Sequence, residues 1–281
     1  MKYKIIFCDL DGTLFSSIDS ISRKSINSIK RYTDMGGIFV ICTGREYESA
    51  NSKLEYLRSE GIKIDYLIYN MGANIREADI PIFSSKYDLD TSLEILKIFD
   101  EVKCNFQCFD EKYAYIKKKN FQFEILSFFV KMKNYVKVEP SLYDKVADKK
   151  IEIVKFSGFD SYRKISKCIK LIEARLAKKV DIIGSGMFFD CLDSNTNKGN
   201  AVKFLCDRLN VDVLDCVAIG DSSGDVSMLD IVGYPYIMEN ADSDTKKPNY
   251  LKALSNTKDG VAIMIDQLIE LELEEKINDI N

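Results

Sequence analysis

Both ends of this 281-residue chain alternate short apolar runs with amphipathic segments. Parallel strands cannot be joined by tight turns and need a crossover, usually a helix, so this alternation constrains the fold more than any other feature. "YKIIFCD" (3–9), "IFVICT" (38–43) and "IDYLIY" (64–69) read as strands, separated by helices in "ISRKSINSIKRYTDMGG" (21–37) and "EYESANSKLEYLRSEG" (46–61). Toward the other end, "KGNAVKFLCDRL" (198–209) reads as a helix, "DCVAIG" (215–220) as a strand, "DVSMLDIVG" (225–233) as a short helix and "YPYIM" (234–238) as a strand, with a last helix after Gly260. Strands apolar on both faces imply a parallel sheet covered by helices on both sides. The expected fold is α/β, a Rossmann-like doubly wound sheet that takes its ligands at the carboxyl ends of its strands.

The middle of the chain breaks this rhythm. From 84 to 187 it turns to aromatic, lysine-rich segments such as "CNFQCFDEKYAYIKKK" and "KIEIVKFSGF", read as antiparallel strands, and to helices such as "SYRKISKCIKLIEARLAKK". The expectation is an inserted α+β domain at 84–187, with 1–83 and 188–281 forming the core. The insert carries 21 basic and 15 acidic residues, a net +6, which leaves −10 on the flanking halves. That asymmetry is either an ordinary solvated lysine surface or an attractive field for a phosphate-bearing ligand. The run Lys117 to Lys119 reads as a solvated strand end. Phe106, Phe109, Tyr113 and Tyr115 are either the insert's own core or a platform for a sugar or ring.

Composition narrows the chemistry. A net charge of −4 argues against a nucleic-acid surface but not against a small anionic ligand. The chain has no histidine, so Ser-His-Asp and Cys-His schemes and histidine metal cages are excluded, and acid/base work falls first to carboxylates. Eight cysteines show no CxxC spacing and sit mostly in apolar runs, as reduced core thiols do; a zinc site on Cys104 and Cys108 would lack a His to complete it. The apolar stretch before the first acids is too short for a signal peptide, and no run approaches membrane-spanning length, so the cytoplasm is the expected location. Nothing in the sequence sets an oligomeric state.

The first strand runs directly into Asp9 and Asp11 in "KIIFCDLDGTLF". If the strand continued, both carboxylates would share a face, an arrangement that implies a metal, a shared proton, or both. A hairpin at "DG" would account for Asp11 but not Asp9. A calcium loop in this register fails, because it needs acids where Phe7 and Ile18 stand. Other strand ends carry matching signals: Thr43 and Gly44 in "IFVICTGR", and Asp221 and Asp225 in "CVAIGDSSGDVSML". Lys198, in a first helical turn, opposes the helix dipole and is at ease there only beside an anion. Each is individually explicable as a loop residue, cap or solvated lysine. Together they converge on one cleft.

"DLDGT" with these partners resembles the signature of the haloacid dehalogenase superfamily, the aspartate-nucleophile phosphatases. The central insert, with "NADSDTKKPNY" and "TKDGVAIMI", is similar to its Cof-like branch, subfamily IIB. The resemblance covers both core halves closely and the insert by position and size. It implies Asp9 as nucleophile and Asp11 as proton donor and acceptor. It further implies Mg²⁺ held by Asp9, the Asp11 backbone carbonyl and Asp221, with Asp225 supporting that shell by orienting water or fixing Lys198. Substrate phosphate would be met by the Leu10 N–H, the Thr43 hydroxyl, the Gly44 N–H and Lys198. The insert becomes a cap over a small phosphorylated metabolite, most commonly a sugar phosphate. Two departures stand out: Gly224 where the family's GDGxND motif has asparagine, and "NMGA" (70–73), in which Met71 takes the place of the asparagine in the usual NGA. The expected activity is Mg²⁺-dependent phosphomonoester hydrolysis through an aspartyl-phosphate. The alternatives are a phosphomannomutase-like phosphotransferase and, on account of Gly224, a non-catalytic phosphate sensor.

Overall fold

The chain folds into two compact units, one made of Met1–Gly44, Ser52–Ile82 and Asn197–Asn281, the other of Arg45–Asn51 and Phe83–Thr196. This computed structural model describes residues 2–16, 20–118, 136–184 and 186–278. In chain order the elements are β1 (Ile5–Cys8), α1 (Arg23–Asp34), β2 (Ile38–Cys42), α2 (Tyr47–Ser59), β3 (Tyr66–Tyr69), β4 (Asn74–Glu77) and β5 (Ile80–Ser84). There follow α3 (Leu89–Val102), β6 (Phe106–Phe109), β7 (Ala114–Ile116), β8 (Val136–Val138), α4 (Leu142–Ala147), β9 (Lys155–Phe159), α5 (Tyr162–Leu176), β10 (Val180–Ile183) and β11 (Phe188–Asp193). The chain closes with α6 (Lys198–Leu209), β12 (Cys216–Gly220), α7 (Val226–Leu229), β13 (Tyr234–Met238), β14 (Leu251–Ala253) and α8 (Gly260–Asn278).

The first unit is organised by an eight-stranded sheet in the order β14-β13-β12-β1-β2-β3-β4-β5. Strand β1 sits centrally and pairs in parallel with β12 on one side and β2 on the other. All four of its residues are fully buried, which is what an unbroken apolar run requires and what only helix-covered parallel strands provide. Helix α1 begins at a Ser22 cap whose hydroxyl accepts from the Ser25 N–H, and it buries Ile26, Ile29 and Tyr32. The Tyr32 hydroxyl, buried beneath that helix, donates to the Tyr3 carbonyl at 2.9 Å. Register then does the positioning. Cys8 lies opposite both Ile41 and Ile219, so the three neighbouring strands run out within two residues of one another, and Asp9, Thr43 and Asp221 emerge along one carboxyl edge. Two features were not expected from the sequence: β14, and the antiparallel continuation of the sheet through β4 and β5.

The second unit is built on a six-stranded sheet in the order β10-β11-β9-β6-β7-β8, antiparallel except for the β7–β8 pair. Its core joins α3 and α5 to the sheet through Ile95, Phe99, Ile165, Ile172, Phe156 and Phe189, with Phe99 stacked on Phe106 at 4.6 Å. Phe106 and Tyr115 belong to that core and Tyr113 packs against it, whereas the Phe109 ring lies 4.3 Å beneath the Lys155 ammonium. The boundary placed at 187 moves: β11 pairs with β9 inside the insert, so the second unit continues to Thr196. Lys117 follows β7 and pairs with Asp100 at 2.5 Å; Lys119, the end of that run, lies outside the described residues. All eight cysteines are buried and unbridged, and the Cys104 thiol neighbours Cys168.

Candidate active site

Strand β1 stops at Cys8, and Asp9 continues it by only one further bond, its N–H donating to the Ile219 carbonyl at 3.0 Å. The chain then doubles back: Leu14 N–H reaches the Asp9 carbonyl at 3.3 Å and Phe15 N–H the Leu10 carbonyl at 2.8 Å. The two aspartates therefore do not share a strand face. Asp9 is 5% exposed, the intervening Leu10 side chain is fully buried, and Asp11 is exposed. Gly12, at φ +82°, makes the reversal possible and passes so close to the β12 loop that a Cβ on it would lie 2.2 Å from Asp221 Oδ2. Thr13, 1% exposed, donates to Asp221 Oδ1 at 3.0 Å and fixes that carboxylate from the other side.

Lys198 is the first residue of α6, which Asn197 caps by accepting from the Asn200 N–H at 2.8 Å. Its ammonium, 2% exposed, donates to Asp9 Oδ1 and to Asp225 Oδ1, each at 2.6 Å. The second Asp225 oxygen accepts three bonds at 3.0 Å, from the Asp221 and Ser222 N–H groups and the Ser222 hydroxyl. Asp225 is fully buried and its carboxylate is thus committed on both oxygens, to the lysine and to the loop that carries Asp221. Burial works against the charge on Lys198, but Asp225 and Asp9 outweigh it and hold the lysine pKa above its ordinary value. Burial, then the Asp225 charge, raises Asp9 well above the usual carboxylate range, with Lys198 opposing. Asp221 is raised to about 6, first by burial and next by Asp225, with Asp11 adding a smaller push.

Such raised carboxylate pKa values mark a site short of positive charge. Oxygens of Asp9, Asp221 and Asp225 lie within 4.8 Å of one another, and among the described residues no other group of three His, Cys, Asp or Glu side chains does so. An all-oxygen donor set carrying more anions than Lys198 can neutralise fits a hard divalent cation. On the adjacent strand, Thr43 is fully buried, its N–H bound to the Ile68 carbonyl at 2.9 Å and its carbonyl to the Met71 N–H at 3.1 Å, with half-buried Gly44 following. The fold thus brings Asp9, Leu10, Thr43, Gly44, Lys198, Asp221 and Asp225 to one edge, with the Asp11 side chain at its exposed margin. Gly12, Thr13 and Ser222 were missed as contributors, although the first two stand inside "DLDGT". Asn240 was missed too: it follows β13 and donates from Nδ2 to the Gly12 carbonyl at 2.8 Å, and its place at a strand end was the available signal.

Residues 6–265 match the family described as haloacid dehalogenase-like hydrolase. The chain is 30% identical over 285 residues to 5-amino-6-(5-phospho-D-ribitylamino)uracil phosphatase YwtE of Bacillus subtilis strain 168, covering 95% of this chain and 98% of that one. It is 28% identical to YxeH of the same organism over 276 residues, again 95% of this chain and 98% of the relative. Among solved structures, TM0651 from Thermotoga maritima superposes with a TM-score of 0.82 at 23% identity, over 94% of this chain and 97% of that one. The subclass IIB sugar phosphatase BT4131 superposes at 0.79 and 18% identity, over 94% and 98%. At these identities the structural likenesses establish the fold, and no described helix is long and apolar enough to cross a membrane. The chain belongs to the haloacid dehalogenase-like hydrolases and is a phosphatase.

Proposed function

We propose that the protein hydrolyses a small phosphomonoester, a sugar phosphate in the first instance, through an aspartyl-phosphate on Asp9 with Mg²⁺ as cofactor. The observation that carries this reading is the Lys198 ammonium held 2.6 Å from both Asp9 and Asp225. A phosphomonoester dianion repels an attacking carboxylate, and a buried cation bound to Asp9 would offset that repulsion. Asp9 attacks phosphorus through the oxygen not bound to Lys198, the ester P–O bond breaks, and Asp11 delivers a proton to the departing oxygen. In the second half Asp11 takes a proton from water, which attacks phosphorus and releases inorganic phosphate with Asp9 as the leaving carboxylate. Exposure suits Asp11 to this exchange with solvent. Thr43, the Gly44 N–H and the Leu10 N–H hold the phosphoryl oxygens.

Asp9, Asp221 and the Asp11 backbone carbonyl would hold Mg²⁺, with Asp225 acting through Lys198 and the loop rather than as a direct ligand. Bound there, the ion supplies charge neutralisation for the carboxylates and the phosphoryl group. The second unit serves as the cap that excludes water and chooses the leaving group. Support for the sugar reading is the pair of names above, one relative acting on a phosphorylated ribityl compound and one structural neighbour being a sugar phosphatase. The test is a panel of phosphorylated metabolites assayed for inorganic phosphate with Mg²⁺. Release from sugar phosphates supports the reading, an isomerised sugar phosphate with no free phosphate points to a mutase, and no turnover on any member rejects it.

A further inference from the structure

Met71 and Gly224 are 153 positions apart in the chain, and each interrupts an otherwise complete motif. In the fold they touch. A Cβ on Gly224 would lie 2.5 Å from Met71 Cε, and a Cβ on Gly44 would lie 2.7 Å from Met71 Sδ. The thioether therefore fills the gap between the turn after β2 and the loop after β12, with bare backbone facing it on both sides. The turn that carries it is pinned on two further sides. The Met71 N–H donates to the Thr43 carbonyl at 3.1 Å, and Gly72 comes so near the start of α6 that a Cβ there would lie 2.3 Å from the Asn197 carbonyl oxygen.

The backbone agrees that this contact is imposed rather than incidental. Asn70, Met71 and Gly72 have φ of 49°, 58° and 95°, three left-handed residues in succession. Only the last is a glycine, and the other two hold this conformation because their surroundings over-determine it. An unbranched, polarizable side chain suits an irregular gap that a polar one would fill poorly. Gly224 is the complement: it is buried, and a side chain there must displace the Met71 methyl.

We propose that Met71 is a positioning residue of the phosphatase site, a thioether wedge seated between Gly44 and Gly224. It sets the spacing of three segments: the Thr43–Gly44 turn, the helix start bearing Lys198, and the Asp221–Asp225 loop. The inference rests on the proposed phosphatase reading for what those segments hold, and on geometry alone for the wedge. Its consequence is that residues 71 and 224 are one unit: restoring a side chain at 224 without removing the one at 71 drives the methionine out of its seat and disturbs phosphate binding.

The experiment compares wild type with Met71→Ala, Gly224→Asn, the double variant and Met71→Leu. The readouts are KM and kcat on the best phosphomonoester of the panel, inorganic phosphate affinity by calorimetry with Mg²⁺, and Tm. Gly224→Asn is expected to weaken phosphate affinity and raise KM on the order of tenfold with kcat less affected, while adding Met71→Ala recovers most of that loss. Met71→Leu, which keeps the volume, stays within about threefold of wild type. A purely structural role would lower Tm and leave KM and phosphate affinity in place. Additive single effects, or a Gly224→Asn protein that binds phosphate as wild type does, overturn the wedge while wild-type turnover preserves the phosphatase reading. A wild type that neither hydrolyses nor binds phosphate overturns the phosphatase reading itself, and the positioning role with it.

Discussion

Asp225→Asn is the sharpest perturbation of the network beneath the active site. The carboxylate accepts Lys198 on one oxygen at 2.6 Å and three donors on the other at 3.0 Å, in full burial. An asparagine has the same shape but only one accepting end. Turned either way, its NH₂ faces donors, opposite the lysine in one orientation and opposite the Asp221 and Ser222 N–H groups in the other. Lys198 also loses one of its two anions. Removing one partner of a buried ion pair costs about 3–5 kcal/mol, because the remaining charge is left uncompensated. That is a large share of the roughly 5–15 kcal/mol by which domains are stable. At roughly 2–4 °C per kcal/mol for a chain of this size class, Tm should fall by roughly 10 °C. Thermal denaturation at neutral pH without added metal measures it. The matched control is Asp266→Asn, which cuts an Arg31–Asp266 pair at 3.2 Å with side chains 58% and 27% exposed, where less than about 1 kcal/mol is at stake. Equal, small losses in both variants would refute the claim that Asp225 anchors the lysine and the loop.

Three further outcomes follow from the geometry. Gly12→Ala puts a Cβ at the Asp221 carboxylate in a backbone of φ +82°, so Mg²⁺ affinity measured by calorimetry should fall by at least about tenfold; unchanged affinity would detach Asp221 from the metal. Asp221 titrates near 6 against an ordinary 3.8, so the folded state holds its proton longer than the unfolded chain does. Its contribution is present at low pH and lost as pH rises from about 4 to 6 without metal, and Mg²⁺ should raise Tm progressively over that window, whereas a metal effect independent of pH would contradict the assignment. Phe99→Ala removes a fully buried ring stacked on Phe106 in the second unit and should cost about 3–5 kcal/mol by urea denaturation, and a loss below about 1 kcal/mol would count against that core.

The central strands of the first unit were legible because burial on both faces writes an unbroken apolar run: "IFVIC" and "CVAIG" became β2 and β12, while "YPYIM" became the half-buried β13, and α6 begins at Lys198 as its amphipathic pattern indicated. Strand β14 was not, since three residues are too few for any periodicity, and it exists because the edge of β13 is there to pair with. Strands β4 and β5 were missed because their turn lacks the usual glycine signal and instead holds Ala78 at φ +51°. The insert boundary slipped for a related reason: "FFDCLD" has strand character in either unit, and only its pairing with β9 decides where it belongs.

The site divides along the same line. Residues at strand ends were readable because register brings them together whatever the loops do. Contacts made across loops were not: the Thr13 bond to Asp221 and the Met71 seat between two glycines depend on distances that no local pattern encodes, whereas Ser222 and Asp225, three residues apart in a capping box, carried a local signal. The condition under which Asp9 and Asp11 would share a face is not met, because the strand stops at Cys8 and Gly12 turns the chain away.

The central claim is that Asp9 is the nucleophile, and trapping its phosphoryl adduct tests that most directly. The protein is mixed with a hydrolysed phosphomonoester and Mg²⁺, quenched in acid within the turnover time, digested and read by mass spectrometry, with Asp9→Asn in parallel. The account predicts a phosphoryl group on the peptide containing Asp9 in wild type, and neither adduct nor phosphate release in Asp9→Asn. An Asp9→Asn protein that turns over normally, or an adduct on any other residue, would contradict it.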